Sequence, residues 1–445
     1  MIQRCLLNGL LARCERYFQF EELGTNWRTE VLAGVTTFVT MAYIIFVNPS
    51  ILAETGMPAP AVAAATCLCA AFGSIMMGAF ARYPIALAPG MGLNAYFTYT
   101  VVKGMGIPWQ TALGAVFISG VAFVILTAAG IRQMIVSAIP SELYSAVAVG
   151  IGLFIAFIGL RNAGLIVANP ATLVGIGNLR NANTLLSIFG LLLIGALLAW
   201  RVRAAILAGV VATAAVGALC GLISWRPQMY SFADVTATAF KLNVASTAHL
   251  GLLEIIFVFL FVDLFDNVGT LVAVGKRANL FTKTNEIPRI NRILLSDACA
   301  TIVGSLTGTS TVVSYIESAA GVVAGGRSGV TALVVGGLFA IAMFFAPLAG
   351  VIPGSATAPA LIIVGSLMIS HATEIRWSDP VIAVPAFLII IAIPLTFSIA
   401  NGLAFGFTAY TILKVLRGEG ATVSWLVYAL TALFVARFVY LGSAG

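Results

Sequence analysis

The stretch FVFLFVDLFDNVGTLVAVG, residues Phe257–Gly275, decides the fold because it is long and apolar enough to cross a bilayer and yet contains two acids. Asp263 and Asp266 stand three positions apart, so a helix places them on one face about one turn apart. An acid at the centre of a spanning helix costs roughly 2.5–3.5 kcal/mol on insertion scales. Such a cost is usually tolerated only where the acid has a polar partner or a function.

The chain as a whole has the composition of a membrane protein. Of its 445 residues 60% are hydrophobic and 9% are charged, and the mean hydropathy is +1.06. Soluble domains carry about 25% charged residues, so the sequence predicts an all-α polytopic protein whose solvent is the lipid bilayer. We attribute the net charge of +7 to basic cytoplasmic loops, in line with the positive-inside rule, and not to nucleic-acid binding.

The apolar stretches divide into fourteen predicted spans, seven in each half, and the halves resemble each other weakly. Ala70–Ser74 precedes a short glycine-rich stretch, PIALAPGMGLNAYF (Pro84–Phe97), and Ala300–Ser305 precedes a second one, TVVSYIESAAGVVAGG (Thr311–Gly326). Paired broken segments at matching places predict an inverted-repeat transporter with a binding site at the midplane. Two ordinary glycine-containing helices that pack closely are the alternative.

Both ends of the chain contribute to the predicted topology. Pro380–Leu416 is too long for one simple span, and we expect a break near Pro394 or at Asn401–Gly402, with Val423–Leu441 as the fourteenth span. Residues 1–29 carry mixed charges and lack the pattern of a signal peptide, so we interpret them as a cytoplasmic segment. The prediction is an inner (plasma) membrane protein with both termini in the cytoplasm.

Glu317 is the third acid deep in apolar sequence, and it lies in the broken stretch of the second half. Ser318 follows it, and Asn94 lies in the matching stretch of the first half; we predict that Glu317, Ser318 and Asn94 bind the substrate. Phe265 is a candidate to stack on a flat substrate. The alternative for each is structural: acids and amides that hydrogen-bond between helices, and an aromatic ring that packs.

Several other kinds of site are absent from the sequence. We find no P-loop, no metal-ligand cluster and no pairing of a nucleophile with a base, which argues against ATP-driven transport, a cofactor or metal, and a membrane enzyme. The six cysteines form no framework and are interpreted as packing residues. We interpret His249 and His371 as interfacial, because they lie near span ends.

Four long stretches resemble the AzgA-like purine permeases, a branch of the nucleobase/ascorbate transporter superfamily: Phe20–Pro49, Ala81–Phe97, Phe261–Val274 and Ser314–Ala332. The resemblance implies a fourteen-helix, seven-plus-seven inverted repeat with a core domain and a gate domain. It implies substrate binding by Asp263, Glu317 and Asn94, with Asp266 as a second functional acid. It also implies proton symport, a core that slides against the gate, and a homodimer.

These expectations divide the chain into a core of residues 30–133 (helices 1–4) and 248–353 (helices 8–11) and a gate of residues 134–247 and 354–445. The cargo would be a purine nucleobase, hypoxanthine/guanine or adenine. A base presents N–H donors to carboxylates, and a protonated carboxyl can also donate a hydrogen bond. Asp263, Asp266 and Glu317 would therefore couple the base to protons.

Two competing functions fit the sequence less well. An anion transporter of the related sulfate-permease type would share the fold, but that class favours a positively charged site and usually carries a soluble C-terminal domain. A channel or receptor would need a pore ring or a sensor segment, and the sequence shows neither.

Overall fold

The computed structural model describes residues 12–130, 134, 138–223, 236–245, 250–278 and 288–440. The predicted domain boundaries at residues 133 and 247–248, the first eleven residues of the N-terminal segment, and His249 lie outside the described residues. Eight of the described helical segments are long and apolar enough to cross a membrane. The protein is therefore a multi-pass membrane protein.

The first half contains helices of very different lengths. They are α1 (Phe20–Leu23), α2 (Trp27–Met41), α3 (Ile44–Leu52), α4 (Ala59–Met76), α5 (Met91–Ala95), α6 (Trp109–Ala128), α7 (Ser141–Asn162), α8 (Ala182–Ala199) and α9 (Ala205–Leu219). Strand β1 (Leu87–Pro89) precedes α5, and the hairpin of β2 (Ile166–Asn169) and β3 (Leu173–Ile176) follows α7. Helices α4 and α5 continue as π-helices over Met77–Ala81 and Tyr96–Gly104.

The second half repeats this order. Its elements are α10 (Leu250–Ala278), α11 (Ile290–Thr307), β4 (Val312–Ser314), α12 (Ser318–Val323), α13 (Gly329–Ala342), α14 (Gly354–Met368), α15 (Pro380–Thr396), α16 (Ile399–Leu416) and α17 (Trp425–Tyr440). The 3₁₀-helices Met343–Gly350 and Ile369–Glu374 extend α13 and α14. Short strand and short helix thus occur at matching places in both halves, and the predicted seven-plus-seven inverted repeat is confirmed.

The two short strands meet at the centre of the repeat. Strand β1 pairs with β4 in antiparallel register, with Leu87 opposite Ser314. Each strand is held by a hydroxyl on the preceding helix. Ser74 Oγ accepts from Leu87 N at 3.0 Å and donates to Leu87 O at 3.2 Å, and Thr301 Oγ1 makes the same two bonds to Val312, both at 3.1 Å. Irregular backbone is stable within a membrane only when such partners satisfy it.

Glycines allow the two halves to approach closely. Helix α7 packs on α14 at Gly152, where an added Cβ would lie 2.9 Å from the carbonyl oxygen of Gly365. Helices α4 and α13 meet at Gly78 and Gly329, where a Cβ on either glycine would collide with the carbonyl oxygen of the other. Small residues at such crossings are the usual means by which membrane helices associate.

The stretch 380–416 forms two helices and not one broken span. Helix α15 ends at Thr396, Phe397 adopts a φ of 50°, and the Ser398 side chain accepts from Asn401 N to begin α16. The break therefore lies between the two places predicted for it. The helices run antiparallel, because Gly402 packs on Ile393.

This hairpin corresponds to α8 and α9 of the first half, where Gly209 packs on Ile194. Helix α17 lies within the stretch predicted as the fourteenth span and follows this hairpin. It packs through Phe434 against Phe407 and Phe257, with ring centroids 6.1 and 5.6 Å apart.

Candidate functional site

A cavity of about 80 Å³ lies beside the β1–β4 pair and extends to the end of α14. One wall comes from the α2–α3 junction, the strand segments, the short helices and α10: Tyr43, Gly90, Met91, Gly92, Phe265, Asp266, Gly269, Thr270, Val313, Ser314, Tyr315, Ile316 and Glu317. The other wall comes from α7 and the α14 segment: Val147, Ala148, Ile151, Ile155, Val364, Met368 and His371.

Glu317 reaches the cavity from the residue just before α12. Its side chain is half-buried, and Tyr43 Oη donates a hydrogen bond of 2.6 Å to Glu317 Oε1. Tyr43 itself is fully buried at the junction of α2 and α3. The carboxyl group is therefore fixed by a neutral donor from the other half of the chain.

Asp266 reaches the cavity from α10, across from β1. A Cβ built on Gly90 would lie 3.6 Å from Asp266 Oδ2 and 3.0 Å from a methyl group of Val313. Because Gly90 has no side chain, there is room beside it for the carboxyl group of Asp266. Within the described part of the chain, neither Asp266 nor Glu317 forms an ion pair. Both can offer lone pairs to an N–H donor or accept a proton.

Asp263, the other acid of the deciding stretch, does not line the cavity. It is fully buried one turn before Asp266. The structure thus brings Asp266 and Glu317 together at the cavity. The predicted substrate-binding role of Asp263 stays a prediction.

Asn94 lies in a buried polar network and not on the cavity wall. Its Nδ2 donates to Asn48 Oδ1 at 2.6 Å, and its Oδ1 accepts from Ser310 Oγ at 2.5 Å. Asn48 Nδ2 in turn donates to Thr66 and Thr309 at 2.7 and 2.9 Å. Both ends of the Asn94 amide are therefore used to join the two halves next to the strands.

Ser318 also supports the strands from behind. It is fully buried, and its Oγ accepts from Ala86 N at 3.0 Å. Phe265 does line the cavity, and its ring lies 4.7 Å from that of Tyr144 with an interplanar angle of 50°. Of the five residues predicted to bind substrate, Phe265 and Glu317 line the cavity, and so does Asp266, predicted only to couple protons.

Sequence reasoning missed several lining residues. His371, expected to be interfacial, lines the cavity with its Nδ1 3.6 Å from a Glu374 carboxylate oxygen. Tyr315 donates to Pro89 O at 2.5 Å. Tyr315 stands two positions before Glu317 in a stretch already singled out, so it could have been found there. Tyr43 is 274 residues from Glu317, and no local signal marks it.

A second polar group, the Glu54 cluster, lies at the opposite end of α7. It comprises Glu54, Tyr99, Lys103, Arg161 and Asn162. Glu54 pairs with Lys103, and Glu54 Oε2 lies 3.5 Å from Arg161 Nη2. Glu54 Oε1 accepts from Tyr99 Oη at 2.6 Å and from Asn162 Nδ2 at 3.3 Å. The cluster ties the ends of the first and third spans to the end of α7.

Comparisons with known proteins agree over nearly the whole chain. Residues 28–440 match a family described as the permease family. A putative permease of Methanocaldococcus jannaschii is 52% identical over 428 residues, which cover 96% of this chain and 98% of the relative. The guanine/hypoxanthine permease PbuG of Bacillus subtilis is 47% identical, covering 96% and 99%. The adenine permease AdeP of Escherichia coli is 44% identical, covering 96% of both chains.

Solved structures share the architecture at low sequence identity. The transmembrane domain of the cyanobacterial bicarbonate transporter BicA superposes with a TM-score of 0.62 at 14% identity, covering 86% of this chain and 97% of that domain. The anion transporter SLC26A9 superposes with a TM-score of 0.63 at 11% identity, covering 91% of this chain and 69% of that protein. These likenesses establish the fold alone.

Proposed function

The chain belongs to the permease family that matches residues 28–440, and we propose on that premise that it carries purine nucleobases across a membrane. The observation that carries the proposal is the cavity, which the half-buried Asp266 and Glu317 line and where no cation neutralises their carboxyl groups within the described residues. Relatives named as adenine and guanine/hypoxanthine permeases, matched along almost their full length, support the choice of cargo.

Each residue near the cavity has a distinct part in this proposal. Asp266 and Glu317 accept hydrogen bonds from the N–H groups of the base, and Phe265 offers an apolar ring to its face. Asn94 and Ser318 hold the strands in place and do not touch the base. Asp263, one turn behind Asp266, takes part in moving the proton.

The transport is proton symport. A carboxyl group in apolar surroundings that lacks a cation can bind a proton near physiological pH. Asp266, Asp263 and Glu317 would bind protons together with the base on one side of the membrane and release them on the other. Net movement of a neutral base then follows the proton gradient.

The movement is a sliding of the core against the gate. The cavity lies between helices predicted to be core and two predicted gate helices, α7 and α14. We place the protein in the inner membrane as a homodimer with both termini cytoplasmic. In that orientation the cavity extends toward the cytoplasmic end of α14, and the Glu54 cluster closes the outer side.

An anion transporter of the sulfate-permease type is not favoured. The solved structures of similar fold include anion transporters, but fold does not fix cargo. An acidic cavity without a described cation repels an anion.

Uptake by a bacterial strain that lacks its own purine permeases tests the proposal. We expect saturable uptake of radiolabelled hypoxanthine, guanine or adenine that rises as the external pH falls and collapses when a protonophore is added. Uracil should compete poorly. Absence of saturable uptake of all three bases would refute purine transport, whereas uptake that a protonophore leaves unchanged would refute symport alone.

A further inference from the structure

Some polar side chains that line the cavity already form hydrogen bonds within the protein, and others do not. Tyr43 gives its hydroxyl hydrogen to Glu317, and Tyr315 gives its own to Pro89 O. Asp266 and Glu317, when ionised, can only accept hydrogen bonds. A purine base also carries ring-nitrogen acceptors, and oxopurines carry a carbonyl oxygen, so the wall that faces them needs a free donor.

Among the described residues of the two strands, the Ser314 hydroxyl meets this need. It lies on β4 opposite Leu87, is 2% exposed, and lines the cavity. Its Oγ has no hydrogen-bond partner among the described residues. Thr311 Oγ1, just before the strand, is also without a partner there, but it does not line the cavity.

Three neighbouring hydroxyls, unlike that of Ser314, have hydrogen-bond partners. Ser74, Thr301 and Ser318 all bond backbone groups of the strands or of the residue before them, at 3.0–3.2 Å. A buried hydroxyl without a partner destabilises the folded protein. Ser314 could have been alanine if its only task were to fill β4, because the strand pairing uses backbone groups alone.

We propose that Ser314 is a further substrate-binding residue, whose hydroxyl donates a hydrogen bond to a ring nitrogen or carbonyl oxygen of the purine base. The inference rests on the proposed purine transport and deepens it. Asp266 and Glu317 then bind the N–H groups of the base, and Ser314 binds one of its acceptors. A ligand that lacks the contacted acceptor leaves the hydroxyl unsatisfied and binds more weakly.

Equilibrium binding of tritiated hypoxanthine to the purified full-length protein tests this. Ser314→Ala should weaken binding by about tenfold, as expected for a lost hydrogen bond of about 1.4 kcal/mol. Ser314→Thr, which keeps the hydroxyl, should bind more tightly than Ser314→Ala. The matched control is Ser366→Ala on α14, an exposed serine whose hydroxyl bonds only Ile363 O. Equal binding by Ser314→Ala and Ser366→Ala would overturn the proposal.

Base analogues separate a contact from a structural effect. The binding loss caused by Ser314→Ala should disappear for one of three analogues, purine without the 6-oxo group, 7-deazahypoxanthine or 3-deazahypoxanthine, because the contacted atom is already missing. A loss of the same size for hypoxanthine and all three analogues would show that the substitution only perturbs the strand, and would refute the contact. If Ser314→Ala fails to fold, Ser314→Cys, a weaker donor, takes its place in the same comparison.

The two proposals fail in different ways. A wild-type protein that binds no purine base refutes the proposed function, and the role of Ser314 with it. A wild-type protein that binds hypoxanthine, together with a Ser314→Ala variant that binds it equally well, refutes the role of Ser314 alone.

Discussion

Two tyrosine–glutamate pairs in this protein have hydrogen bonds of the same length but differ in the charged residues around them. Tyr43 donates to Glu317 at 2.6 Å at the cavity, and Tyr99 donates to Glu54 at 2.6 Å in the Glu54 cluster. Glu54 also has two cations, Lys103 and Arg161, and the Arg161 guanidinium lies 4.6 Å from the centre of the Tyr99 ring. Glu317 has no ion pair among the described residues.

The difference separates acids that hold the structure from acids that are available for chemistry. Glu54 is neutralised by fixed charges. Glu30 is fully buried and accepts hydrogen bonds from the backbone N–H groups of Arg327, Ser328 and Thr331 at 2.9–3.2 Å, at the start of α13. Glu317 keeps only a neutral partner, so the charge of its carboxyl group is left for a proton or a ligand to balance.

The largest contrast is expected from removing each acid's charge. Glu317→Gln should lower purine uptake by at least about 50-fold, because it removes a charge-assisted hydrogen bond and a proton site. Glu54→Gln should stay within about threefold of wild type, since partly exposed ion pairs contribute little. Initial rates of radiolabelled uptake, normalised to protein in the membrane, measure both. A similar loss of uptake in both variants would show that Glu317 has no special role compared with Glu54.

The two acids of α10 give the next contrast. Asp266→Asn should weaken hypoxanthine binding by about tenfold or more, because Asp266 lines the cavity. Asp263→Asn should weaken binding less and should instead reduce the response of uptake to external pH. Equilibrium binding and uptake at two pH values check this. A greater loss of affinity in Asp263→Asn would return substrate binding to Asp263, as the sequence predicts.

The smallest contrast comes from the tyrosines themselves. Tyr43→Phe should raise the KM for uptake about three- to tenfold, because Glu317 loses the donor that fixes it. Tyr99→Phe removes the same atom from an equally short bond and should leave the KM within about twofold of wild type. Both substitutions remove the same hydroxyl group, so Tyr99→Phe is the control for Tyr43→Phe. A similar rise in KM in both variants would count against a special role for the cavity.

The sequence predicts the fold well because the signals for it are local. Apolar runs locate the helices, and the glycine-rich stretches around Gly90 and Gly321 locate the two broken segments. The division of 380–416 was harder to place, since three residues (Pro394, Asn401 and Gly402) are each compatible with a break. The left-handed backbone at Phe397 that creates it has no sequence signature, because phenylalanine rarely adopts it.

The site is less predictable because its contacts are distant in sequence. Asp263 and Asp266 share one face of α10 by spacing, and the packing of that helix beside β4 and Gly90 decides which acid meets the cavity. Asn94 looks like a ligand in sequence, yet its amide is used by Asn48 and Ser310. His371 looked peripheral because it lies near a span end, but the 3₁₀ turn after α14 places it on the cavity wall.

The pairing of β1 with β4 also has a consequence for how the protein is made. The bond between Tyr315 and Pro89 joins residues 226 positions apart, and a ribosome adds about 5–20 residues per second. The first strand therefore waits roughly 10 to 45 seconds for its partner, with backbone groups that lipid cannot satisfy. Synthesis must pass β4 and reach the end of α14 before both walls of the cavity exist, so a truncated nascent chain is an inserted but unfinished protein, dependent until then on water, the insertion machinery or a chaperone.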